Sequence, residues 1–354
     1  MSILDSRESI KKLDKSNLLG SVEALPDQIQ DAWEATKDLA FPDTYPLVKN
    51  IVVCGMGGSN LGGVVIKHLF KAELAIPIEI CAHYDLPGYV DKNTLILLSS
   101  YSGNTEETLA AAEEACDRGA KIAVITAGGQ LADLATAHGW PAYLIDAKYN
   151  PCGQPRMAIG YAVFGMLAMF TQMGLVNISE PEVNNLVDKL RAMVKRLAPE
   201  VVEGNTAKLL AFASFDKHVI VSAAEHLVGA GHVFNNQINE NSKALTSEWP
   251  LPEFDHHYLE ALSFPKSTKD STIFFMINSA LYHERVVKRF PLTQVIIENM
   301  GYEVQMIQAV APTKLEQVFE IITLGEFVAL YLPMLYGTDP SAIPNVDAFK
   351  TALG

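Results

Sequence analysis

Two short segments of this 354-residue chain combine residue types and spacings that suit an anionic ligand. The sharper one is Ser100-Tyr101-Ser102-Gly103-Asn104-Thr105-Glu106-Glu107-Thr108, between a strand-like and a helix-like run. Its hydroxyls at Ser100, Ser102 and Thr105 can each donate to an oxyanion, and Gly103 and Asn104 expose backbone between them. The helix that follows turns its positive end toward the same place. A neutral, oxygen-rich cradle of this kind fits a phosphate monoester. The plain alternative is a capping box, with Ser102 or Thr105 followed by a first-turn glutamate. Capping leaves Ser100 and Gly103 unexplained.

The second segment, Gly55-Met56-Gly57-Gly58-Ser59-Asn60-Leu61-Gly62-Gly63, also follows a strand and opens a helix. Glycines there let backbone N–H groups approach a ligand, which makes Gly57, Gly58 and Ser59 candidate substrate contacts. A dinucleotide fingerprint needs Gly-x-Gly-x-x-Gly, and Asn60 occupies the third glycine position. Glu79 could pose as the ribose-binding acid, but the core motif has already failed, so no nucleotide cofactor is expected.

The elements that must carry these loops follow a βαβ rhythm. Strands are expected at Ile51–Cys54, Ile76–Cys81, Thr94–Ser99, Lys121–Thr126 and Ala142–Ile145, with helices at Thr105–Arg118 and Leu131–His138. The rhythm restarts at His218–Ser222, Thr272–Ile277 and Glu303–Gln308, separated by helices near 226–243, 280–300 and 314–336. The predicted fold class is therefore α/β, with two similar halves, each built on a five-stranded parallel sheet flanked by helices. The expected divisions are an N-terminal helical arm at 1–45, a first α/β domain at 46–156 with the hydroxyl loop, a helical connector at 157–204, a second α/β domain at 205–336 and a C-terminal segment at 337–354. Residues 157–177 carry no charged side chain, which by length alone permits a membrane span. Four Met, Gln172 and Thr171 favour instead a buried helix at a domain or subunit interface.

Apolar residues make up 49% of the chain and charged ones 19%, a globular composition. Lys and Arg total 27 against 41 Asp and Glu, a net charge of −14, and no basic run exceeds Lys11-Lys12. A nucleic-acid surface is not expected. Four cysteines without a Cys-x-x-Cys pair argue against a disulfide framework or structural zinc. The start of the chain lacks an apolar signal segment, so a reducing cytoplasm is the expected location, with no membrane partner.

The two loops together resemble the sugar isomerase (SIS) domain family. The resemblance continues in order through Leu25-Pro26-Asp27-Gln28, Gly153-Gln154-Pro155-Arg156, Asn236-Gln237-Ile238-Asn239-Glu240-Asn241-Ser242-Lys243, Pro252-Glu253-Phe254-Asp255-His256, Leu324-Gly325-Glu326-Phe327, Gly337-Thr338-Asp339-Pro340 and Lys350. That series is similar to the bifunctional phosphoglucose/phosphomannose isomerases over nearly the whole chain. It implies two SIS domains, a homodimer, sugar phosphates as small-molecule partners, and no cofactor or metal. The implied reaction interconverts glucose 6-phosphate and fructose 6-phosphate, and extends to mannose 6-phosphate, through a cis-enediolate.

Such a reaction needs one base to move a proton between C2 and C1. Glu240, between two neutral Asn side chains, is the candidate, against the plain reading of a solvated helix glutamate. No metal-ligand cluster is evident, so the enediolate needs a side-chain cation. Arg156, in a loop after Pro155, is placed to serve, unless it makes only a surface ion pair. The resemblance implies His256 and Lys350 as the pair that opens the pyranose ring. Asp255-His256-His257-Tyr258 stands where the family usually has Asn-His-Asn-Glu. Register selects His256, His257 remains open, and Asp255 is placed to raise the pKa of either. His232 stands where the family usually has a basic residue ahead of the Glu240 segment. His226 is expected to be structural. The alternative function is a phosphosugar sensor that kept the cradle without turnover, although a sensor needs no base.

Overall fold

The computed structural model describes residues 2–353, which divide into two compact units. One unit is Glu23–Arg191, and the other joins the segment up to Val22 to the chain from Ala192 onward. The helical arm expected at 1–45 is thus shared between them. It contains α1 (Arg7–Lys11), α2 (Leu18–Glu23) and α3 (Leu25–Thr36), the last with Pro26 in its first turn, where a missing N–H costs nothing.

In the first unit β1 (Asn50–Cys54), α4 (Leu61–Leu69), β2 (Ile78–Cys81), β3 (Thr94–Ser100), α5 (Glu106–Asp117), β4 (Lys121–Thr126), α6 (Gly129–His138) and β5 (Ala142–Leu144) alternate as predicted. The five strands are parallel in the order β2-β1-β3-β4-β5. β3 reads Thr-Leu-Ile-Leu-Leu-Ser-Ser and is buried throughout, the near-continuous apolar run of a strand covered on both faces. The charge-free stretch becomes α7 (Ile159–Gln172), buried from Ile159 to Phe170 and packed on α3 and α4. The boundary between the units falls within α8 (Glu180–Leu197).

The second unit contains α9 (Thr206–Ser214), β6 (His218–Ser222), α10 (Val228–Gln237), β7 (Thr246–Glu248), α11 (Phe254–Ala261), β8 (Thr272–Ser279), α12 (Glu284–Asn299), β9 (Glu303–Ala309), α13 (Lys314–Tyr336) and α14 (Pro344–Leu353). Its parallel sheet has four strands among the described residues, ordered β7-β6-β8-β9, not the expected five. β7 is a three-residue strand, Thr-Ser-Glu, too short to show a strand period in the sequence. After β9 the chain enters α13 as expected, capped by Thr313 and ended at Gly337, and no strand follows it among the described residues. By length and composition α13 could cross a membrane, yet 89% of its most apolar window is buried within the fold. It is a core helix, a stronger case of what was expected of 157–177.

The expected helix near 226–243 is also not uniform. α10 ends at Gln237, and Ile238–Ser242 form a π turn closed by Lys243 in the left-handed region at φ 54°.

Candidate active site

In the first unit the two ligand loops leave the carboxyl ends of β1 and β3. These are neighbouring strands whose crossovers run in opposite directions, the usual crevice for a ligand in an open α/β sheet. β3 delivers Ser100, whose Oγ is 2.8 Å from Thr105 Oγ1 and accepts from the Gly103 N–H at 3.1 Å. Thr105 is the N-cap of α5, but its side chain makes no capping bond. The capping-box alternative fails there, and the first-turn N–H groups remain for whatever occupies the loop. Ser102 is exposed and its Oγ accepts from the Asn104 N–H at 3.3 Å. Asn104 in turn accepts from the Gln130 N–H at 3.1 Å, which ties the cradle to α6. Gly103 has φ 69°, and a Cβ there would lie 1.7 Å from the Gly128 carbonyl oxygen. No other residue fits.

Ser59 joins the two loops. Its Oγ accepts from the Tyr101 N–H at 2.9 Å, and its carbonyl accepts from Ser99 Oγ at 2.7 Å. Gly57 takes a positive φ of 51°, and Gly58 lies so close to the Pro155–Met157 turn that a Cβ would sit 2.5 Å from the Arg156 nitrogen. Gly57, Gly58, Ser59, the Ser100–Thr105 loop and Arg156 are therefore brought together. Arg156 is 1% exposed, with Nη1 donating to Gln154 Oε1 at 2.9 Å, so it is not a surface ion pair. Two residues without an assigned role hold this turn. Gln28 donates from Nε2 to the carbonyls of Tyr149 and Met157 at 3.0 and 2.9 Å, and accepts from the Gly160 N–H. Asn150 donates to Tyr101 Oη and to the Gln154 carbonyl. Leu25-Pro26-Asp27-Gln28 was visible as a segment, but only the fold shows what Gln28 grips.

The second unit carries Glu240, half-buried in the π turn. A π turn inside helical structure is rare and recurs at functional sites. Its neighbours are fastened. Asn239 Nδ2 donates to the Thr246 carbonyl at 3.2 Å and its Oδ1 accepts from the Thr246 N–H at 3.0 Å, while Ser242 Oγ donates to Ala329 O at 3.1 Å. Lys243 Nζ donates to the carbonyls of Asn241, Asp339 and Pro340. Those bonds fasten the segment leading into α14 to the Glu240 turn. His232 Nδ1 lies 2.6 Å from Glu248 Oε1, and its Nε2 is 3.1 Å from Asn236 Nδ2.

His256 and His257 are both exposed on α11. His257 lies edge-on to Trp249 at 5.4 Å between centroids. Asp255 does not serve either histidine as expected. Its oxygens accept from Arg289 Nη1 at 2.8 Å and Thr293 Oγ1 at 2.7 Å, so it anchors α11 to α12. Lys350 is exposed on α14, a helix with no buried residue. His226 is structural in its contacts, with Nε2 2.9 Å from Gln317 Oε1, and burial holds its pKa below the usual histidine value. Among the described residues no three His, Cys, Asp or Glu side chains gather as metal ligands.

Residues 203–353 match the family model described as the bacterial phospho-glucose isomerase C-terminal SIS domain, and residues 48–138 match the SIS domain. A bifunctional phosphoglucose/phosphomannose isomerase of Caldicellulosiruptor bescii is 33% identical over 338 residues, covering 94% of this chain and 98% of its own. Its counterpart in Aquifex aeolicus is 29% identical, covering 94% and 97%. A solved hypothetical protein from Thermus thermophilus superposes with a TM-score of 0.74 at 18% identity, covering 97% of this chain and 91% of its own.

Proposed function

The chain belongs to the bifunctional phosphoglucose/phosphomannose isomerase family, and from that premise we propose that it interconverts glucose 6-phosphate, fructose 6-phosphate and mannose 6-phosphate by metal-independent proton transfer. The observation that carries the reading is Glu240 on a π turn whose flanking side chains are tied down. A carboxylate held this way, beside neutral amides, can take the C2 proton of the aldose and return it to C1. Glucose and mannose phosphates lose their C2 stereochemistry in the planar enediolate, so one base serves both epimers.

The remaining roles follow from charge and donor capacity. The Ser100, Ser102 and Thr105 hydroxyls with the α5 N-terminus take the phosphate, and Gly57, Gly58 and Ser59 line its approach. The Arg156 guanidinium supplies positive charge for the enediolate oxygens, a charge-assisted bond stronger than a neutral one. His256 and Lys350 exchange a proton between O5 and O1 as the ring opens. The active species is a homodimer in which His256, exposed in its own chain, serves the partner's site.

Glu240→Gln keeps the shape and removes the proton acceptor. Turnover of fructose 6-phosphate, assayed with a chelator present, should fall at least ~10²-fold with little change in affinity. Solvent-deuterium incorporation at C2 should vanish with it. Wild-type exchange in the variant would defeat the assignment. Binding without turnover in the wild-type protein would establish the sensor instead, and loss of wild-type turnover on chelation would establish a metal requirement.

A further inference from the structure

Glu326 is fully buried on α13, in a stretch from Ile321 to Met334 whose other polar side-chain groups are the hydroxyls of Thr323 and Tyr331. Buried carboxyl groups are rare unless a fold uses them. Its Oε1 accepts from Gln237 Nε2 at 3.3 Å, and Oε2 has no hydrogen-bond partner among the described residues. Gln237 is the last residue of α10, and the π turn bearing Glu240 begins at the next one. The far end of that turn is held from the same helix, because Ser242 Oγ donates to Ala329 O. Residues 326 and 329 are three apart and share a face of α13. One helix face therefore brackets the turn at its entry and its exit. Gly325 brings the helices this close, since a Cβ there would lie 2.8 Å from Phe234 Cγ on α10.

We propose that Glu326 is a positioning residue for the base: by holding Gln237 it fixes where α10 passes into the π turn, and so where the Glu240 carboxylate points. The inference rests on Glu240 being the base. Burial also pushes the Glu326 carboxyl well above the usual carboxylate range, which favours the neutral acid. A neutral acid can hold the amide without placing a second negative charge behind Glu240.

The test compares Glu326→Leu, which keeps volume but removes the acceptor, with Glu326→Gln, which keeps an acceptor oxygen. Misplacing a reacting group by about 1 Å can cost ~10²-fold, so kcat for fructose 6-phosphate should fall about tenfold or more in Glu326→Leu. It should stay within about threefold of wild type in Glu326→Gln, with KM within roughly twofold in both. Gln237→Leu should reproduce the loss, and Glu326→Leu/Gln237→Leu should lose no more than either alone. If Glu326→Leu does not fold, the contrast between Gln237→Leu and Glu326→Gln decides. Folded Glu326→Leu with wild-type kcat, a matching change in KM, or losses that multiply in the double variant overturns the proposal. Glu240→Gln run alongside separates the two ideas. If it still turns over, the base assignment falls; if it is dead while Glu326→Leu is unaffected, only the positioning role falls.

Discussion

Thr105 carries a hydroxyl that the sequence reads as a ligand donor, with a helix cap as the plain alternative. In the structure that hydroxyl bonds Ser100 and makes no capping bond to α5, which removes the cap reading. Thr105→Val keeps the branched shape and removes the donor. A hydrogen bond to a charged group is worth about 1.5–3 kcal/mol, so KM for each sugar phosphate should rise roughly ten- to hundredfold while kcat holds. Calorimetric affinity equal to wild type would place the phosphate elsewhere. The residue types needed for the cradle were legible because hydroxyls, Gly103 and a helix start lie within one short segment. The supports were not. Gln28 acts on residues 149, 157 and 160, more than 120 positions away, and no local pattern encodes that reach.

Helices and strands decide how firmly those residues stand. The strands of the first sheet were readable within a residue or two because apolar runs ended by glycine-containing loops have few other solutions. β7 was not, since three residues beside a Trp-Pro segment carry no strand periodicity. α13 shows the opposite problem, being apolar on nearly all sides, so its composition does not say what it packs on. Its contact with α10 at Gly325 gives a direct test. Alanine there gains up to about 1 kcal/mol of helix propensity but must displace a fully buried Phe234 ring, and overpacking typically costs about 1–3 kcal/mol. Gly325→Ala should therefore lower the thermal midpoint by several degrees. An unchanged or higher midpoint would show that the crossing has room to spare.

For the whole molecule the decisive question is whether the proposed site draws its groups from one copy of the chain or from two. His256 follows β7 and the Trp249-Pro250-Leu251-Pro252 segment, which leads the chain away from the Glu240 turn, and it ends exposed on α11. If His256 serves the partner subunit, mixing Glu240→Gln with His256→Ala and allowing subunits to exchange should restore turnover. Each hybrid dimer would hold one intact site and approach half the wild-type activity. Hybrids confirmed by native mass spectrometry that stay as inactive as their parents would place both residues in one chain's site.

The order of residues was enough to establish the α/β alternation, and to single out the hydroxyl loop, Glu240, Arg156, His256 and Lys350 as chemical candidates. Those are local properties, or matches to a family pattern, and they survive without knowing what packs on what. Folding was needed to commit Asp255 to Arg289 and Thr293 instead of a histidine, and to stop the second sheet at four strands among the described residues. Folding also turned the end of α10 into a π turn held from both ends by α13. For the side chains the physical reason is the same. A polar side chain is committed by whichever partner the fold brings within about 3 Å, and that partner often lies tens to hundreds of positions away.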